Sequence, residues 1–88
     1  MYKVELAKEA AKFIRNQEKR IQRQLINKIR ELARDPRPQN CKKLQGYKEL
    51  YRIPSGNYRI VYVVMDKKLL VVVVRIAHRK DIYRQIER

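Results

Sequence analysis

The sequence predicts an α+β domain: a helical hairpin packed on a small, mainly antiparallel sheet, in the order β-α-α-β-β-β-α. Three observations lead there. Apolar residues recur at helical spacing from Ala7 to Ala33. The period becomes two after Gly46. Turn chemistry at Pro54–Asn57 and at Asp66–Lys67 then cuts the second half into consecutive strands. At 88 residues the chain is expected to form a single domain, 1–88.

Each element has its own warrant. "YKVEL" alternates Tyr2, Val4 and Leu6 and reads as a short first strand. Leu6, Ala10, Phe13 and Ile14 fall on one helical face, and Asn16 to Glu18 interrupts them. Ile21, Leu25, Ile26, Ile29, Leu32 and Ala33 form a second stripe, while Lys19, Arg20, Arg23, Lys28, Arg30 and Arg34 cover much of the remaining surface. Asp35-Pro36 stops this helix and Pro38 keeps it stopped. Arg37 to Gly46 reads as a loop. Leu50 and Arg52 then alternate with Tyr51 and Ile53. "PSGN" reads as a turn, "YRIVYVVM" as a strand and "DK" as a second turn. "KLLVVVVRIAH" is apolar on both faces in its middle, which predicts an interior strand. Asp81 can cap a final short helix with Ile82, Tyr83 and Ile86 on one side. The helical hairpin should cover one sheet face and leave the other for a ligand.

Charge narrows the function. Lys plus Arg number 23 against 9 Asp plus Glu, a net charge of +14. Such a charge repels itself in a compact chain and suits a polyanion, nucleic acid first, because each phosphate neutralised releases counterions. An acidic protein partner is compatible with this. The apolar runs are short and no long basic amphipathic helix dominates, which argues against a membrane surface. The acids are scattered and no carboxylate or Cys/His cluster has ligand spacing, so neither a metal nor a cofactor is expected. Cys41 is alone, which suits a reducing compartment. No secretory signal follows Met1, so a cytoplasmic protein is expected.

The cations converge. With "PSGN" as the turn, Ile53 opposes Tyr58 and Arg52 faces Arg59. Like charges opposed across a strand pair either splay into water or hold an anion between them. Arginine's planar fork of donors suits phosphate oxygens. With "DK" as a two-residue turn, Met65 faces Lys68 and Arg59 opposes Val74. His78 then shares Arg59's face, and Arg75 and Arg79 point away. One bulged residue reverses that assignment. Either way Arg52, Arg59, His78 and Arg79 meet at one edge of the sheet. Tyr83 follows within a turn or two, its ring available to stack on a base or to pack on the sheet. RNA carries its own nucleophile, the 2′-OH. Cleavage then needs a base, cations for the charge that grows on the phosphate oxygens, and an acid for the leaving 5′-oxygen. Fixed arginines meet the second need. Histidine exchanges its proton near neutral pH and can meet the first or third.

"LQGYKELYRI", "NYRIVYVV" and "VVVVRIAHRKDIYR" resemble the RelE/ParE superfamily of bacterial and archaeal toxins. The resemblance implies a β-α-α-β-β-β-α domain related to microbial ribonucleases. In the RelE-like branch it implies an mRNA endonuclease that acts in the ribosomal A site, held in check by a cognate RelB-like antitoxin. The complex of the two often represses its own operon, bound to operator DNA through the antitoxin. In the ParE-like branch the target is DNA gyrase. A basic RNA- or ribosome-binding module without catalysis is a third reading. By position, Arg59 matches the family arginine that stabilises the transition-state phosphate, Arg79 a second arginine for charge balance or leaving-group protonation, and Tyr83 the tyrosine that orients substrate. Arg52 stands at one family lysine position and Pro54 at or near another. Lys43, Lys48 or His78 can substitute as base, or the ribosome's positioning of the message can activate the 2′-OH. Lys43, Lys48 and Arg75 are candidate substrate-binding cations.

Overall fold

The computed structural model describes residues 1–82. The chain runs β1 (Lys3–Leu6), α1 (Lys8–Arg15), α2 (Lys19–Arg34), β2 (Lys42–Lys43), β3 (Leu50–Ser55), β4 (Tyr58–Met65) and β5 (Leu70–His78). The strands lie side by side as β1-β5-β4-β3-β2. Among the described residues, only the β1–β5 pair is parallel. Two helices on a mostly antiparallel sheet is the architecture the periodicities predict. The predicted final helix and Tyr83 lie outside the described residues.

The helical stripes are spent on one sheet face. Ala10 and Ile14 of α1 and Leu25, Ile29 and Leu32 of α2 bury against Tyr51, Ile53, Ile60, Tyr62, Val64, Val71, Val73 and Ile76. Each such side chain taken fully from water stabilises the fold by about 1.5–3 kcal/mol. Gln22 of α2 donates from Nε2 to the carbonyls of Ile14 (3.0 Å) and Arg15 (3.4 Å), which satisfies carbonyls at the end of α1 and fixes the hairpin. Tyr62, fully buried, donates its hydroxyl to the Pro36 carbonyl at 2.7 Å. Burial pushes that phenol well above its usual pKa. Helix α2 begins with Lys19 and Arg20 and has no acid in its first turn. Cations there oppose the helix dipole, though Arg20 reaches the carboxylate of the N-cap residue Glu18 at 3.2 Å.

Four sequence expectations are corrected. Arg37 to Gly46 is not all loop, because Lys42 and Lys43 form the edge strand β2 against Arg52 and Tyr51. "PSGN" is not a four-residue turn: β3 continues through Pro54 and Ser55, and the turn is Gly56-Asn57 alone. Pro54 is tolerated because β2 reaches only as far as Arg52, so no strand on that side needs a Pro54 N–H. Gly56 has φ +60, the first-position conformation of a two-residue hairpin turn that favours glycine. A Cβ there would also lie 2.7 Å from Nε2 of Gln24, which donates to the Ser55 carbonyl. Consequently Arg52 does not face Arg59; Arg52 pairs with Val61 and Arg59 with Pro54. Finally, the β4–β5 connection runs from Asp66 through Leu69, so Met65 faces Leu70 rather than Lys68.

A bulge then sets the far end of β5. Val61 pairs with Arg75 and Tyr62 with Val73, which leaves Val74 as the extra residue. Val71 and Val73 point into the core, and Ile76 still does so three residues later. Of the two registers open to the sequence, the bulged one is present. Arg59 pairs with Ala77, and His78 pairs with Tyr58 on the opposite, helix-covered face.

Candidate functional site

The second sheet face is not bare. Val61, Ala77 and Ile82 are buried there, with Leu44, Leu50 and Val74 packed around them. Cations rim this small apolar cluster. Strand alternation and cross-strand pairing put Arg52 and Arg59 on that face as diagonal neighbours, about 7–8 Å apart between backbones. Lys42 sits directly opposite Arg52. None of the β2–β5 residues that the pairing places on this face is a carboxylic acid.

Arg59 is positioned by the turn beside it. It is half-buried, and its Nη1 donates to the carbonyls of Gly56 (3.1 Å) and Tyr58 (2.9 Å). Both acceptors are neutral, so the guanidinium is oriented without its charge being cancelled. Arg79 is exposed, and its backbone N–H donates to the Asn57 carbonyl at 2.8 Å. The Gly56-Asn57 turn is therefore flanked by Arg59 and Arg79, with Arg52 and Lys42 one step along the face. Together they form a positive surface shaped for phosphate oxygens.

The remaining candidates are placed differently. His78 stands edge-on to Tyr58, with ring centroids 5.7 Å apart, and Tyr58 stands edge-on to Phe13. Its Nδ1 accepts from the Lys80 N–H at 3.2 Å, which leaves the ring proton on Nε2. An imidazole on the other face, with its acceptor nitrogen engaged, is not set to take a proton beside Arg59. Arg75 is the exception: the bulge pairs it with Val61, which on its other side pairs with Arg52, and so puts it on the Arg59 face. It also borders a cleft with Glu9, Lys12, Phe13 and Asn16 of α1 and its end. Lys43 and Lys48 line a separate cleft at the β2–β3 connection. Tyr83 lies outside the described residues. Sequence reasoning missed Lys42, because a two-residue strand has no period; its face is fixed only by pairing with β3.

It also missed a second cation centre, near the β4–β5 turn. Arg37 donates to Asp66 (3.0 and 2.8 Å), to Glu49 (2.6 Å) and to the Tyr51 hydroxyl (2.8 Å). Tyr2 donates to the same Asp66 carboxylate at 2.6 Å. Arg37, and secondarily Tyr2, hold the Asp66 carboxyl down at about 2. The hydrogen bond to Asp66 raises the Tyr2 phenol. Asp66 and Tyr51 likewise raise Arg37 above its usual range. This centre is neutralised and structural. Among the described residues, no cluster of His, Cys, Asp and Glu could hold a metal ion, and no helix is long and apolar enough to cross a membrane.

Comparison with known proteins identifies the family and matches the fold. Residues 4–83 match the family described as ParE toxin of type II toxin-antitoxin system, parDE. A RelE-like toxin protein of Escherichia coli is 31% identical over 86 residues, 93% of this chain and 90% of that one. The isolated E. coli RelE toxin is 30% identical with a TM-score of 0.78, covering 97% of this chain and 94% of that one. A chain of the intact E. coli RelBE toxin-antitoxin complex is 32% identical with a TM-score of 0.76, covering 89% and 96%. One of the archaeal RelE-RelB complex from Pyrococcus horikoshii is 26% identical with a TM-score of 0.79, covering 89% and 94%. The chain belongs to the RelE/ParE superfamily and is a RelE-like toxin of a type II toxin-antitoxin system.

Proposed function

We propose that this toxin is an endoribonuclease that cuts messenger RNA in the ribosomal A site. The observation that carries the reading is Arg59, oriented on two neutral carbonyls beside Arg79, with Arg52 and Lys42 on the same face. In the reaction the 2′-oxygen bonds to the adjacent phosphorus and the P–O5′ bond breaks. A 2′,3′-cyclic phosphate and a 5′-hydroxyl result. Arg59 stabilises the charge that grows on the phosphate oxygens. Arg79 balances charge at the departing 5′-oxygen, which takes up a proton from solvent. Arg52 and Lys42 hold the neighbouring backbone, and Tyr83 orients the substrate. The 2′-proton passes to water once the ribosome has aligned the message, since the arginines are poor bases. RNA's own nucleophile and fixed cations suffice for this scheme without a metal.

The E. coli and P. horikoshii relatives occur in complexes with RelB, and a RelB-like antitoxin is proposed here too. Charge complementarity favours an acidic antitoxin, given the net charge of +14. Operator binding would run through that antitoxin, and the setting would be the cytoplasm. The test is induction in growing cells, with mapping of mRNA ends. The reading expects new ends within A-site codons and an early stop in protein synthesis. DNA damage with normal translation would instead point to gyrase. Salt-dependent ribosome binding with intact mRNA would leave only a binding module.

A further inference from the structure

The β2–β3 connection carries a feature that the cleavage scheme does not use. Lys43, Leu44, Gln45, Gly46, Tyr47 and Lys48 line a wide, shallow cleft of about 470 Å³, a shape that suits a flat base laid on a surface rather than an enclosed ligand. Tyr47 is 46% exposed, large for an aromatic ring at a loop tip. The loop is nevertheless anchored. The Leu44 N–H donates to the Leu50 carbonyl at 2.9 Å, and the Leu44 side chain packs on the cluster of Val61, Ala77 and Ile82 that the catalytic cations rim. Gly46 turns the chain with φ +82, and nothing lies within 4 Å of where its Cβ would be. Lys43 and Lys48 stand exposed on either side of Tyr47 in the chain.

We infer that this cleft is a nucleotide subsite, in which Tyr47 stacks on an unpaired RNA base while Lys43 and Lys48 contact the flanking phosphates. It deepens the endoribonuclease reading and rests on it for its place along the message. An exposed ring between two cations matches the chemistry of single-stranded RNA: a π-face for any base and positive charge for its backbone. A lipid surface fits less well, because one tyrosine gives little apolar area to insert. The cleft begins at Lys43, the neighbour of Lys42 on edge strand β2, and includes Leu44, which packs on the apolar cluster of the Arg59 face.

The test measures binding of a fluorescein-labelled uridine hexanucleotide to purified toxin by anisotropy, across a salt series. Cleavage on programmed ribosomes is followed in parallel. Tyr47→Ala should weaken hexanucleotide binding about tenfold with an unchanged salt slope, because stacking is the term lost. Tyr47→Phe should bind like wild type. Lys43→Ala and Lys48→Ala should each reduce the salt slope by about one. Circular dichroism checks that every variant is folded. Wild-type affinity in Tyr47→Ala, an equal loss in Tyr47→Phe, or no binding by wild type would each overturn the subsite. If these binding results hold while mRNA stays intact on ribosomes, the subsite stands and the endoribonuclease reading falls.

Discussion

Arg37 and Arg59 are both partly covered arginines near a β-turn, and their partners make them opposites. Arg37 faces the carboxylates of Asp66 and Glu49 and the Tyr51 hydroxyl. It ties the segment after α2 to the β4–β5 turn and to the start of β3, and its charge is used up inside the protein. Arg59 rests on backbone carbonyls. Its fork is oriented and its charge is kept. The same side chain is a structural tie where the fold supplies carboxylates, and keeps its charge for a proposed ligand where it supplies only dipoles. Net charge alone could not distinguish them.

Removing the charge from each centre should therefore act on different observables. Arg59→Ala should slow cleavage about 10²–10³-fold, as loss of one donor to a developing oxyanion does, with an unchanged melting curve. Gly56→Ala attacks the turn that aims Arg59. Left-handed strain should lower stability by about 1–2 kcal/mol in urea titrations, and cleavage should fall less than in Arg59→Ala. Arg37→Met should lower stability by about 1 kcal/mol, the scale of a partly exposed charged network, with little change in cleavage. An Arg37→Met variant that lost cleavage but kept its stability would erase the distinction between the two centres.

Acid gives a finer probe of the structural centre. Asp66 titrates at about 2 in the fold against an ordinary 3.8. The folded form holds its proton less well, so the contribution is present above the ordinary value and is lost as pH falls through about 2. Wild type should lose stability over that window more steeply than Asp66→Asn, followed by circular dichroism. The smallest effect is expected on α2. Arg23→Glu should weaken ribosome association and reduce its salt slope, with no change in fold. Lys28 already pairs with Glu31 at 3.3 Å, so Lys28→Glu should do less.

Much of the fold was legible because its signals are local and repeated. The stripe from Ile21 to Ala33 runs over several turns, and the valine-rich β5 has little alternative but the sheet interior. The site was half legible. Arg52, Arg59 and Arg79 were found by residue type, and their gathering near the hairpin turn followed from chain reversal. Their exact partners did not follow. Pro-Ser-Gly-Asn carries turn chemistry at every position, yet Pro54 and Ser55 extend β3 because the neighbouring edge strand stops short of them. The extra Val74 then moved His78 to the helix-covered face, and only packing of Ile76 against the core decides where such a bulge falls. The Arg37 centre left no trace in any window, since it joins Tyr2, Glu49 and Asp66 from distant parts of the chain.

The most direct measurement is single-turnover cleavage of a defined message on purified ribosomes, comparing wild type with Arg59→Ala at equal occupancy. The account predicts A-site ends carrying a 2′,3′-cyclic phosphate for wild type, and a rate lower by at least about a hundredfold for the variant. Equal rates in the two proteins, or an uncut message with wild type bound, would contradict it.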